Sequence, residues 1–305
     1  MPEALANTGT RRSDVMVRRV PTVALERLQS LIAKYRSTFA MSYQDLTLET
    51  VDTVATITLN RPEKLNALNA GLRKDILDVC AEVKHNDGIR AVVWTGAGRG
   101  FCSGADLTGG APAGEAERPW QDVMDEDSWV GRQARASYVI DKPTIAAVNG
   151  VAAGAGMSLA LACDIRIGSE QSRFKTVFIE RALAPDAGMT YFLPRIVGSG
   201  NALDMILTSR AVGAEEALRM GLLQRVVAHA DLLAEAQKVA AQIAAFPPIA
   251  AMMSKRSIQH SLDANFSEQL RYEIRAIEIG RRATNDAKES IASFRERRPG
   301  NFTGH

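Results

Sequence analysis

The chain has 305 residues, 46% hydrophobic and 24% charged, with a formal net charge of +2. So high an apolar fraction with so little net charge excludes a mostly disordered chain, and the length gives core enough for one large domain or two small ones. No apolar run is long enough to cross a bilayer, no signal-peptide layout opens the chain, and Cys80, Cys102 and Cys163 lack the paired spacing of a disulfide framework or a zinc site. The expectation is a reduced cytoplasmic protein without metal, membrane or nucleic-acid partners.

Residues 1–40 carry seven basic side chains (Arg11, Arg12, Arg18, Arg19, Arg27, Lys34, Arg36) against three acids, and the rest of the chain is slightly acidic. This lead reads as an organelle transit peptide, as a solvated arm, or as sequence ahead of a native start at Met41. No nucleic-acid motif accompanies the charge.

After Met41 the pattern becomes regular. Val54–Leu59 alternates apolar residues with threonine, as a half-buried strand requires, and Asn60-Arg61-Pro62 ends it. Leu72–Val83 reads as an amphipathic helix with Leu72, Ile76, Leu77, Val79 and Cys80 on one side. Ala91–Thr95 is an apolar strand running into Gly96-Ala97-Gly98-Arg99-Gly100. Thr144–Val148 is another, running into Asn149-Gly150 and Gly154-Ala155-Gly156. A helix over Met157–Cys163 and a strand over Asp164–Ile167 follow. Strands alternating with helices predict an α/β fold. Helices over Ala214–Met220, Asp231–Phe246, Ile249–Leu262 and Phe266–Ala283 make the region from about 199 helical. A last helix is expected to open at Asp286, with Glu289 three residues on in a capping pattern. The organisation expected is a basic extension (1–40), an α/β core (41–198) and a helical C-terminal region (199–305), with a mobile loop over Thr108–Pro119.

The two strand–glycine–helix junctions lack the third glycine of a dinucleotide fingerprint, the Lys-Ser/Thr of a P-loop and the serine placement of a nucleophile elbow. They have two readings. Either the glycines make tight turns between packed elements, or they bring two backbone N–H donors to one oxygen as an oxyanion hole.

At these residues the sequence resembles the crotonase superfamily, the enoyl-CoA hydratase/isomerase family. The likeness runs from about Tyr43 to Phe302. It rests on Leu59-Asn60-Arg61-Pro62 with Leu65-Asn66-Ala67-Leu68, on Gly96 to Leu107, on Lys142 to Gly150, on Leu183 to Gly188, on Ala214 to Ala217 and on Phe294 to Arg298. The resemblance implies a spiral of ββα units with a helical trimerisation region, assembled as a homotrimer or homohexamer. It implies acyl-CoA thioester substrates and no separate cofactor, coenzyme A being part of the substrate. The oxyanion donors would be the N–H groups of Ala105 and Ala155. Lys64, Ala67, Gly104, Asp106, Leu107 and Gly154 would line the substrate and CoA path, with Phe178 beside it. Phe294 and Arg297 would lie near a CoA nucleotide; read on their own, they are a packed core aromatic and a solvated charge.

The sequence departs from the family's hydratases at both catalytic glutamates, which fall at Ser158 and Phe178. Serine is no unaided base near neutral pH, and phenylalanine transfers no proton. Asp186 matches a catalytic aspartate of the family's dienoyl-CoA isomerases. Read on its own, Pro185-Asp186-Ala187-Gly188 is also a turn in which Asp186 caps a helix starting near Met189. Asp106 and Asp164 read as structural, Glu180 as a surface charge and Cys102 as a small core residue. The first expectation is a double-bond isomerase with Asp186 as proton carrier. The alternatives are a hydratase in which Ser158 holds water, and a non-catalytic acyl-CoA binder.

Overall fold

The computed structural model describes residues 42–108, 124–125 and 127–305, so the readings placed on the basic lead and on residues 109–119 lie outside the described residues. Tyr43–His305 forms one unit. Strand β1 (Leu46–Val51) pairs antiparallel with β2 (Val54–Leu59); β3 (Ala91–Gly96), β5 (Thr144–Val148), β7 (Ile165–Ser169) and β10 (Arg225–Val227) extend the sheet in parallel, in the order β1-β2-β3-β5-β7-β10. β3 and β5 are buried along their whole length. Covered on both faces, a parallel strand needs a continuous apolar run rather than an alternating one.

Each strand side has its own partner. Ala91, Val93, Ile145, Ala147 and Ile167 pack on the face covered by α7 (Leu232–Ala244), which contributes Leu232, Ala236, Val239, Ala240 and Ala244. Val92, Trp94, Ala146 and Val148 face the larger core, with Leu72, Ile76, Val79, Cys80 and Val83 of α1 (Ala70–His85). The expected face of α1 is therefore observed, except that Leu77 is only partly buried. Asn69 caps this helix by accepting the Leu72 N–H at 2.7 Å.

A second sheet has the order β4-β6-β8-β9, from β4 (Gly100–Cys102), β6 (Val151–Ala153), β8 (Arg173–Lys175) and β9 (Val212–Gly213). Three times the chain passes from a strand of the first sheet to a strand of the second: β3 to β4, β5 to β6, β7 to β8. Helices α2 (Ser128–Tyr138), α3 (Ala155–Leu161) and α4 (Met189–Val197) follow these pairs. This is the ββα spiral. It corrects one expectation: the first glycine stretch leads into a strand, not a helix, because Gly100 and Cys102 pair with Val151 and Ala152. The crossing is tight, since a Cβ on Gly150 would lie 2.1 Å from the Arg99 carbonyl oxygen.

The remaining helices are α5 (Ser199–Thr208), α6 (Ala214–Arg219), α8 (Pro248–Ser261), α9 (Phe266–Arg281) and α10 (Thr284–Glu296). Helix α10 opens at Thr284, and Asp286 does not cap it. The buried Asp286 carboxylate instead accepts the N–H groups of Thr303 (2.7 Å) and Gly304 (2.9 Å), fastening the C-terminal tail. Among the described residues no helix is long and apolar enough to cross a membrane.

Candidate active site

The two glycine junctions meet. Gly104, just before Ala105, adopts φ +89°, and a Cβ there would lie 2.8 Å from the Ala153 carbonyl oxygen and 3.6 Å from the Ala155 nitrogen. Only glycine permits both that dihedral and that approach. Ala105 is held in place by its bridge to Leu68: the Leu68 N–H donates to the Gly104 carbonyl at 2.8 Å, and the Asp106 N–H donates to the Leu68 carbonyl at 3.2 Å. Ala155 is the first residue of α3, where N–H groups have no partner within the helix. Among the described residues, neither the Ala105 nor the Ala155 N–H has an acceptor. Two N–H groups without acceptors therefore lie on adjoining segments, one of them at the positive end of a helix.

The glycine loop behind Ala105 is pinned by two asparagines. Asn149 donates its amide to the Gly96 (2.8 Å) and Gly98 (2.9 Å) carbonyls, and Asn66 donates to Ala97 (3.0 Å) and Gly100 (2.8 Å). Arg61 donates to the Ala67 carbonyl and to the Asp106 carboxylate at 2.9 Å. Thr108 and Arg61 together hold the Asp106 carboxyl down at about 2. Sequence reasoning assigned no role to Arg61, Asn66 or Asn149. The signal was present in polar residues set inside apolar or glycine-rich stretches, but their partners lie up to 53 residues away.

Asp186 joins this junction through Ser158. The buried Ser158 hydroxyl on α3 donates to the Asp186 main-chain oxygen at 3.4 Å. The capping alternative for Asp186 is overturned: α4 begins after Gly188 with no side-chain cap, and Met189 N–H meets the Asp186 main-chain oxygen at 2.9 Å. The carboxylate is left with a buried Oδ1 that has no hydrogen-bond partner among the described residues. Burial pushes its pKa above the ordinary carboxylate value. Left-handed Ala187 (φ +51°) and Gly188 (φ +79°) follow directly, a turn that alanine adopts only at a cost.

Phe178 is buried, with its ring edge 4.0 Å from where a Cβ on Gly154 would sit, so an apolar side chain stands beside the Gly154–Ala155 segment. Glu180 turns away and pairs with Lys175 at 2.6 Å, as expected of a surface charge. Cys102 is fully buried, its thiol pushed up to about 12. Asp164 is structural: it accepts Thr144 N–H at 2.7 Å and pairs with Lys255 at 2.8 Å. Just ahead of α2, Asp125 pairs with Arg132 and Asp127 with Arg135.

Of the expected substrate-path residues, Lys64, Ala67, Gly104, Asp106 and Leu107 gather around the Leu68–Ala105 bridge. The Lys64 carbonyl accepts the Ala67 N–H at 3.1 Å, and Leu107 is exposed. Phe294 on α10 is 86% exposed, which overturns its reading as a core aromatic; the buried side of that helix carries Asp286 and Ser293 instead. Arg297 is the exposed left-handed residue closing α10. None of the described contacts joins either residue to the junction.

Comparison with known proteins identifies the family. The family described as enoyl-CoA hydratase/isomerase matches residues 49–305. A probable enoyl-CoA hydratase of Rhodobacter capsulatus is 40% identical over 265 residues, 87% of this chain and 100% of that protein. A short-chain-enoyl-CoA hydratase of Clostridium acetobutylicum is 34% identical over 85% of this chain and 97% of its own length. The crystal structure of an enoyl-CoA hydratase from Bacillus anthracis superposes with a TM-score of 0.78 at 32% identity, covering 86% of this chain and all of that one. The chain is an acyl-CoA enzyme of the enoyl-CoA hydratase/isomerase family, within the crotonase superfamily.

Proposed function

We propose that this enzyme moves the double bond of an enoyl-CoA thioester through an enolate. The Ala105 and Ala155 N–H groups would bind the thioester oxygen as charge develops on it, and Asp186 would carry the proton. The observation that carries this reading is the half-buried Asp186 carboxylate, one oxygen of which is buried without a partner among the described residues, at a junction where both hydratase carboxylate positions hold Ser158 and Phe178. A base flanked by two carbons takes a proton from one and returns it to the other, a cycle that needs no water. Its raised pKa makes it a stronger base than an exposed aspartate, and the apolar Phe178 wall disfavours a second charge beside it. Ser158 orients the Asp186 segment through the main chain.

Self-association as a homotrimer or homohexamer is part of the same proposal. It is supported by exposed apolar side chains on α8, α9 and α10: Ile258, Phe266, Ile274, Ile277, Ile291 and Phe294. Sedimentation of the purified chain as a monomer would remove this part. Three buried, unpaired thiols accord with a reducing, cytoplasmic location.

The test is mass spectrometry and NMR of the products from a 3-enoyl-CoA and, separately, from a 2-enoyl-CoA. A conjugated 2-enoyl product at unchanged mass is expected from the 3-enoyl-CoA. A product heavier by one water from the 2-enoyl-CoA, with the 3-enoyl-CoA left unchanged, is the hydratase outcome and contradicts the proposal. Thioester binding without any turnover is the outcome of a scaffold and contradicts it equally.

A further inference from the structure

Arg73 stands at an unfavourable place for a cation, the fourth residue of α1, where the helix dipole opposes positive charge. It is nevertheless held there firmly. Its Nε donates to the Leu68 carbonyl at 3.1 Å, and its guanidinium carbon lies 3.6 Å above the Trp129 ring of α2. The side chain is half-buried. The Leu68 carbonyl is the same oxygen that accepts the Asp106 N–H, and Leu68 is bridged to Ala105. One hydrogen bond and one stacked face therefore fix the guanidinium beside the donor segment of the candidate oxyanion hole. No carboxylate of the described residues pairs with it, and Asp106 on the neighbouring segment is taken by Arg61 and Thr108. Among the described residues the two terminal nitrogens of Arg73 have no hydrogen-bond partner.

With Nε spent and one face stacked, the group presents its outer edge, two parallel N–H donors that match the spacing of a carboxylate. We propose that Arg73 receives a carboxylate carried by the acyl chain, so that the preferred substrates are CoA thioesters of dicarboxylic acids. This inference rests on the acyl-CoA reading above. It commits the cation to the acyl group rather than to a phosphate of coenzyme A, since the anchoring carbonyl belongs to Leu68, bridged to Ala105, and the stacking ring comes from α2.

Calorimetry with thioesters that cannot isomerise tests it directly. Glutaryl-CoA and pentanoyl-CoA differ by a carboxylate in place of a terminal methyl, and free coenzyme A is the third titrant. The wild-type enzyme is expected to bind glutaryl-CoA roughly 10- to 100-fold more tightly than pentanoyl-CoA. Arg73→Met is expected to erase that preference while leaving pentanoyl-CoA and coenzyme A within about twofold; Arg73→Lys, which keeps the charge and loses the fork, is expected to keep part of it. Equal wild-type affinities for the two thioesters overturn the inference. So does a matching loss of coenzyme A affinity in Arg73→Met, which assigns the arginine to a phosphate. No binding of either thioester to the wild type overturns the acyl-CoA reading itself, so the two failures are told apart.

Discussion

Asp164 and Asp186 bracket the segment that links α3 to α4, and their surroundings are opposite. Asp164 accepts both the N–H and the hydroxyl of Thr144 and pairs with the buried Lys255 at 2.8 Å. Asp186 has a buried oxygen with no partner among the described residues, next to two left-handed residues. An acid surrounded by donors spends its oxygens on fastening neighbouring segments together. A desolvated acid with an unsatisfied oxygen costs stability, and such costs gather where a group must give and take protons. The difference separates a carboxylate that builds the fold from the one proposed here to carry the proton.

Replacing each aspartate should therefore fail in different ways. Asp186→Ala should lower kcat/KM for isomerisation by about 10²- to 10⁴-fold, the usual contribution of a general base, with Tm unchanged or higher. The pH dependence follows from the direction of the shift. The base acts ionised, so wild-type kcat/KM should rise with pH through a value above the ordinary aspartate pKa, and that limb should vanish in the variant. Because the folded carboxyl holds its proton more tightly than the unfolded one, its contribution to stability falls as pH rises through the same window. A drop in Tm with activity retained would place Asp186 with the structural acids.

Gly104→Ala strikes the other half of the site. Its φ of +89° and the 2.8 Å approach to the Ala153 carbonyl force the backbone to move, which displaces the Ala105 donor. Loss of one oxyanion donor should lower kcat by about 10²- to 10³-fold, more than any change in thioester affinity. An unchanged kcat would show that Ala105 N–H does not touch the reacting oxygen.

Asp164→Ala leaves the buried Lys255 ammonium with only its bond to the Lys142 carbonyl and should cost about 1–3 kcal/mol in denaturant unfolding. Activity per folded molecule should be retained. The smallest effect is expected at Glu180→Gln, where an exposed pair with Lys175 is lost: stability within about 0.5 kcal/mol and activity unchanged. A large loss of activity there would reveal an acid that the present assignment overlooks.

Much of this comparison was legible before any coordinates. The apolar runs of β2, β3 and β5 and the periodic face of α1 could be read directly, because burial on both faces of a sheet and on one face of a helix leaves a plain pattern. The second sheet could not. Its strands span two or three residues each, and what makes Gly100–Cys102 a strand is pairing with Val151–Ala153 rather than any local preference. The same dependence on distant partners hid Arg61, Asn66 and Asn149. It also misdirected the reading of Asp286, whose carboxylate serves the chain terminus rather than its own helix. The glycine junctions suggested a pair of backbone donors, but the assignment to Ala105 and Ala155 came from resemblance, since a main-chain donor leaves no side-chain signature. Removing the cap reading of Asp186 needed the structure, because its sequence fits a helix cap equally well.

The claim that Asp186 carries the proton is tested most directly by isomerising a 3-enoyl-CoA in D₂O with wild type and Asp186→Asn and reading deuterium in the product by NMR. The account predicts a shifted double bond in the wild type, with part of the hydrogen retained by transfer between carbons. It predicts loss of both shift and transfer in the correctly folded Asn variant. Isomerisation at the wild-type rate with the same retained hydrogen in Asp186→Asn would contradict it.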